Sequence, residues 1–401
     1  MHSHSHSTHD HSDEIASSVP ARIRVIIWSA VGLSAALVII GLVVLWPSTS
    51  DSRFDPQGLQ GDPIDAEVTA DEVTPCSFDG TIECRQIDLV IGEGELVGEQ
   101  FSLEQPADST LRAGDAILVD AVQLPDGVVQ VSFYDFERTS PLLLLAGVFA
   151  VAIIVLGRWR GVGALAGLVA SLFVIVSFAL PAILGGTNAV AVALVTAGAI
   201  AFVALFLAHG FSLATAAALL SSIASLALTA LLAWIFVGMS KLTGLADESV
   251  GFLSALGSDI DPQGLLLAGV VIGSLGVLDD VTVTQVSAVW ELKQARPDIG
   301  SVDLYRRAVR IGRDHISSTV NTLFLAYAGA SLPLLLLFQE AGQSISSIVT
   351  REIVAVEVVR ALVGSIGLIA SVPISTALAA AVLGSAATRP DVSTEDALNR
   401  E

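Results

Sequence analysis

Long apolar runs separated by short polar connections dominate this chain. Eight of them are long enough to cross a bilayer core of ~30 Å, which takes about 20 helical residues. They lie at approximately 24–46, 141–157, 161–184, 188–208, 211–237, 263–289, 317–338 and 354–385. The second is short, and the last is long enough to start in the interface. One stretch, 51–138, has a different rhythm. Apolar and polar positions alternate there over 64–69, 81–91, 96–103, 116–122 and 128–136, with Gly, Pro and Asp turns between them. Leu124-Pro125-Asp126-Gly127 is a strong turn signal between the last two. The pattern predicts an all-α polytopic membrane protein of about eight spans with a small β-rich, OB-like barrel domain.

Lysine and arginine set the expected orientation, because they collect on the cytoplasmic side. Arg22 and Arg24 precede the first span, and Arg158 and Arg160 follow the second. Lys293, Arg296, Arg306, Arg307, Arg310 and Arg313 follow the sixth, and Arg389 follows the last. Eight crossings put all of these on one side, so both termini are expected in the cytoplasm and 51–138 outside. The expected order is a cytoplasmic tail (1–23), an anchor helix (24–46), the outer domain (51–138), a seven-helix membrane domain (141–386) and a second tail (387–401). The anchor is too long for a signal core, and Trp46-Pro47 is a poor cleavage site. Trp28 and Trp46 mark its two ends, as interfacial tryptophans do.

Composition strengthens this picture. Hydrophobic residues make up 53% of the chain and charged residues 15%, too few charges for an ordinary soluble protein. The net charge of −21 is concentrated: 51–138 holds 20 of the 40 acidic residues against four arginines. Such a field repels nucleic acid and anionic lipid and draws cations, although it also serves simple solubility. Both cysteines, Cys76 and Cys84, fall in this domain, and a close pair outside the cytoplasm reads as a disulfide.

The sixth span carries the densest chemistry. Gly269, Gly273, Gly276, Asp280, Thr284, Ser287 and Glu291 share one stripe at helical spacing. Its glycines admit a second helix closely, and the polar groups continue the same seam. Asp279 projects about 100° away from Asp280. Asp280 stands roughly 14 Å from the cytoplasmic end of the span at helical rise. A carboxylate there costs about 3 kcal/mol unless paired, hydrated or protonated. Two readings follow: a helix–helix hydrogen-bond anchor, or a site for a cation or proton that also draws on Thr282, Thr284 and Gln285.

Other positions join this set. In the seventh span His315, Ser318, Thr319 and Thr322 share a face, with Asn321 beside them. His315 and Glu291 stand near the same mouth, where an imidazole either ligates a metal, shuttles a proton or simply accepts a hydrogen bond. Glu357 and Arg360 open the last span at i, i+3 and read as an interfacial pair. Pro181 and Pro373 are expected to kink their helices. The segment 241–262 is read as lying on the surface or dipping partway in, and 302–313 as an amphipathic helix on the inner leaflet. His2, His4, His6, His9 and His11 alternate through the N-terminus, either as a metal-gathering tract or as an idle tail.

The run Gly276-Val-Leu-Asp-Asp-Val-Thr-Val-Thr-Gln285 resembles the signature of the YibE/F family of bacterial multipass membrane proteins. The resemblance extends over nearly the whole chain after the tail. It implies a transporter of the bacterial plasma membrane and supplies no substrate.

The leading expectation is therefore a secondary transporter or permease without enzymatic activity. Its polar site comprises Asp279, Asp280, Thr282, Thr284, Gln285, Glu291, His315 and Asn321, and it moves a proton, a cation or another small solute. Export of a divalent metal fits the histidine tract and the acidic domain. The alternatives are a membrane sensor or assembly component acting through the outer domain, and an intramembrane enzyme. Adjacent aspartates on one helix diverge, whereas a proteolytic dyad must converge. No Gly-x-x-x-x-Gly-Lys-Ser/Thr run for ATP occurs. The expected partners are the lipid bilayer and the transported solute, not nucleic acid, and a further copy of the chain is left open.

Overall fold

The computed structural model describes residues 19–47, 63–77, 79–123, 128–255, 260–342 and 344–384. The histidine tract, the 124–127 turn and the tail 387–401 lie outside the described residues. The chain divides into two compact units, Phe54–Val155 and the remainder.

Five antiparallel strands build the smaller unit: β1 (Ile64–Pro75), β2 (Glu83–Ile91), β3 (Gln100–Pro106), β4 (Ala116–Gln123) and β5 (Val129–Phe136). Their order, β3-β2-β1-β4-β5, makes a nearly closed, barrel-like sheet. Alternation explains the closure, since every second residue faces inward. Val68, Ile87, Leu89, Ile91, Leu103, Ile117, Val119 and Val131 form the buried core. β1 is longer than its alternation predicted, because a register shift between Val68 and Ala70 carries it onward along β2. There Asp71 takes Arg85 Nη1 at 2.6 Å and the Ala113 N–H at 3.0 Å. The Cys76–Cys84 disulfide closes the far end of the β1–β2 hairpin. A loop that short gives a stabilisation of about 2–3 kcal/mol in the chain-entropy account.

The rest of the chain is helical, and the first part of its second helix, up to Val155, falls in the smaller unit. The helical elements begin with α1 (Ala21–Val44) and, after the barrel, α2 (Thr139–Val174), a π turn (Ile175–Ala179) and α3 (Leu180–Leu184). There follow α4 (Ala189–His209), α5 (Leu213–Met239), α6 (Glu248–Ala255), α7 (Pro262–Ala295), α8 (Ser301–Ala330), α9 (Leu332–Glu340), α10 (Ile345–Val349) and α11 (Glu352–Gly384). Among the described residues six helical runs are long and apolar enough to cross a membrane, and the α8–α9 pair, bent by 58°, makes a seventh if it counts as one span.

Eight separate spans were expected, and the count turns on how kinked runs are taken. The stretches 141–157 and 161–184 are counted together in the 46-residue run Thr139–Leu184, but they are two helices that meet at a kink. Arg158, at φ 52° and ψ −130°, is the kink, and it falls between the two expected stretches. Near the end of the run the π turn stands immediately before Pro181, which has no N–H to offer the preceding turn. The expected amphipathic segment 302–313 is not a separate helix. It is the first half of α8, because no proline interrupts the chain until Pro333 at the start of α9.

At the centre α5, α7 and α11 pack on one another, with α4 against α7 and α8 against α11. Small residues allow this. Ala216, Ala217, Ser221, Ser222, Ser225 and Thr229 are buried on α5, and Ser371, Ser375, Thr376 and Ala379 on α11. Membrane helices associate through such close contacts, since lipid supplies no hydrophobic drive between them. At one crossing, a Cβ on Gly367 of α11 would strike the Thr229 hydroxyl of α5.

Candidate intramembrane polar site

α7 presents two chemically different faces. The buried face carries Leu278, Val281, Thr282, Gln285 and Val289. The glycine and carboxylate stripe expected to be a helix seam is exposed instead. Gly269, Gly273, Gly276, Asp280, Thr284, Ser287 and Glu291 are all exposed, and among the described residues nothing comes within 4 Å of where a Gly276 Cβ would stand. Periodicity placed these residues on one face correctly. It carried no information about what covers that face.

Asp279 and Asp280 therefore occupy different surroundings. Asp280 is exposed, and its backbone carbonyl accepts from Thr284 Oγ1 at 2.7 Å. Asp279 is half-buried against α5, where Ser222 interacts with its carboxyl group. Ser222 also shares a hydrogen bond of 2.6 Å with the Thr282 hydroxyl, and Thr282 Oγ1 in turn reaches the Asp279 carbonyl at 3.1 Å. The Asp279 Oδ1 atom is buried and has no hydrogen-bond partner among the described residues. One turn along α5 from Ser222, the buried Ser225 hydroxyl also has no hydrogen-bond partner among the described residues. Buried polar atoms are nearly always satisfied, so an orphaned carboxylate oxygen beside hydroxyls marks a place for a proton, an ion or water.

Gln285 has another task. Its Nε2 donates to the Ala308 carbonyl of α8 at 2.9 Å and to Thr376 Oγ1 of α11 at 2.7 Å. It ties three helices below the carboxylate and is buried. Glu291, His315 and Asn321 are exposed, and no ion pair joins Glu291 to His315 among the described residues. The structure thus brings together Asp279, Thr282 and, one turn on, Gln285, while Asp280, Thr284, Glu291, His315 and Asn321 line exposed faces.

Sequence reading passed over Ser222, Ser225 and His209. The two serines belong to a helically spaced polar set in an otherwise Ala- and Leu-rich span, a signal that was available on α5. His209 ends α4 close enough to Asp280 and Arg160 for their charges to act on it. Nothing in its local sequence announces that proximity.

A bundle of long apolar helices with hydroxyls buried between them is the build of a multi-pass membrane protein. The chain matches the YibE/F-like protein family over residues 145–385 and belongs to it. The match covers more than half of the chain but begins after the barrel, so the anchor helix and the β-domain fall outside it, contrary to the wider extent expected. No curated protein and no solved structure is similar enough to the chain to add to this.

Proposed function

We propose that this protein is a secondary transporter whose coupling site is centred on Asp279. The observation that carries the reading is the buried, unpartnered Asp279 Oδ1 beside Ser222 and Thr282. A carboxylate left without a basic partner in a helix core has a strong drive to take up a positive charge. One carboxylate with hydroxyl oxygens balances one proton or one monovalent cation. A divalent metal calls for more anionic ligands than this pocket offers. Asp280, with His209 near it, faces the open side of α7 and provides a hydrated approach on the side that the arginines assign to the cytoplasm.

The reading remains non-enzymatic, because the two aspartates diverge and present no converging pair to a substrate atom. A second reading keeps its ground on one observation. The disulfide-closed barrel is a compact unit outside the family match, with an OB-like strand order, and suits a partner-binding module on the outer side.

Labelling with a hydrophobic carbodiimide, which attacks protonated carboxyl groups in apolar surroundings, tests the site. Mass spectrometry of the full-length protein should find adduct on Asp279, falling as pH rises and the proton is lost. Absence of adduct on Asp279 at every pH from 5 to about 8, with Asp280 labelled instead, would move the site to the other aspartate.

A further inference from the structure

At the other end of α7 a cavity of about 600 Å³ opens between the start of α7, the start of α11 and the connection that contains α6. It is a built feature. Glu352 at the start of α11 accepts from the Thr243 N–H at 2.5 Å, the Thr243 hydroxyl at 2.8 Å and the Gly244 N–H at 2.8 Å. Gln263 Nε2 adds a bond to the Leu242 carbonyl at 2.7 Å. These contacts hold the connecting loop as one wall. Val250, Leu265, Leu266 and Val356 make the lining largely apolar.

Arg360 is the cation in this lining, and only part of it is spent. Its Nη1 donates to Glu357 Oε1 at 2.6 Å. Its Nε is buried without a partner among the described residues. Nη2 lies toward the bare Cα of Gly269, which also lines the cavity, 3.8 Å from where a Cβ would stand. A guanidinium nitrogen is a strong donor to a carboxylate. Gly269 leaves room beside Nη2 that a long side chain would fill.

We propose that this cavity binds a small solute with one carboxylate and an apolar body, the carboxylate on Nη2 of Arg360 and the body against Val250, Leu265 and Val356. The carboxylates of Glu357 and Asp247 in the same lining oppose a second negative charge and favour an amine on the solute. This is a claim about binding and does not require Asp279 to carry a proton.

Isothermal titration of the purified full-length protein with L-leucine, 4-methylpentanoate and L-leucinamide tests it. Leucine and 4-methylpentanoate should bind, and leucinamide, which lacks the carboxylate, should not. Arg360→Lys keeps a charge but cannot hold Glu357 and present a second nitrogen to the solute at once, so affinity should fall at least tenfold. Gly269→Leu leaves the Arg360–Glu357 pair intact and fills the space, so binding should vanish at an unchanged melting temperature, while Gly269→Ala retains it. Failure of both carboxylates to bind folded wild type, binding of leucinamide as tight as leucine, or undiminished binding by Gly269→Leu would overturn the proposal.

Discussion

Adjacent residues in a helix share a backbone neighbourhood but not a solvent. Asp279 and Asp280 differ by about 100° of rotation, and that alone separates a half-buried carboxyl group among hydroxyls from an exposed one. In the barrel, Asp71 shows the opposite arrangement, a carboxylate fully supplied with donors. The Ala113 N–H, and after it the Arg85 guanidinium, hold the Asp71 carboxyl below the usual carboxylate range. A depressed value in the folded state means stability that is complete above the unfolded value near ~4 and is lost as pH falls through the folded value. Hydrogen exchange of β1 and β2 in the full-length protein, corrected for intrinsic rates, should therefore show protection dropping on acidification below about pH 4. Asp71→Asn should weaken protection at neutral pH and flatten that dependence; an unchanged acid profile would mean that the contact contributes nothing.

Among the elements, α5 and α11 depend on a contact that hydropathy does not reveal. A Cβ at Gly367 would collide with the Thr229 hydroxyl. Gly367→Ala should lower stability by about 1–3 kcal/mol, as overpacking does. Thr229→Ala should recover part of the loss in the double variant, which thermal unfolding in detergent will read as a coupling energy. Additive losses would refute the contact. The same contrast explains what was legible in advance. Membrane helices are written in length and apolarity, so α1, α4, α5, α7 and α11 were evident, as were the barrel strands from their alternation and the disulfide from cysteine spacing. So was the break between 141–157 and 161–184, where Arg158 leaves helical geometry between two helices. The open face of α7 was not legible. A helix's own spacing names the residues on a face, whereas its cover is decided by where other helices pack. Ser222 was legible as one of the helically spaced polar positions of α5, but the carboxylate that it meets was not.

At the scale of the whole molecule, the protein joins a disulfide-closed acidic barrel to a helical unit that carries the YibE/F-like match. The helical unit contains everything the transport reading needs: the buried Oδ1 of Asp279, without a partner among the described residues, hydroxyls beside it and an open polar face along α7. Deleting the barrel should therefore spare flux through the helical unit, whereas a sensor or assembly role predicts complete loss. The most direct measurement is pH- and cation-driven flux in proteoliposomes, with wild type, Asp279→Asn and Asp280→Asn side by side. The account predicts flux in wild type, abolition in Asp279→Asn and only partial loss in Asp280→Asn. Flux in folded Asp279→Asn equal to that of wild type would contradict it.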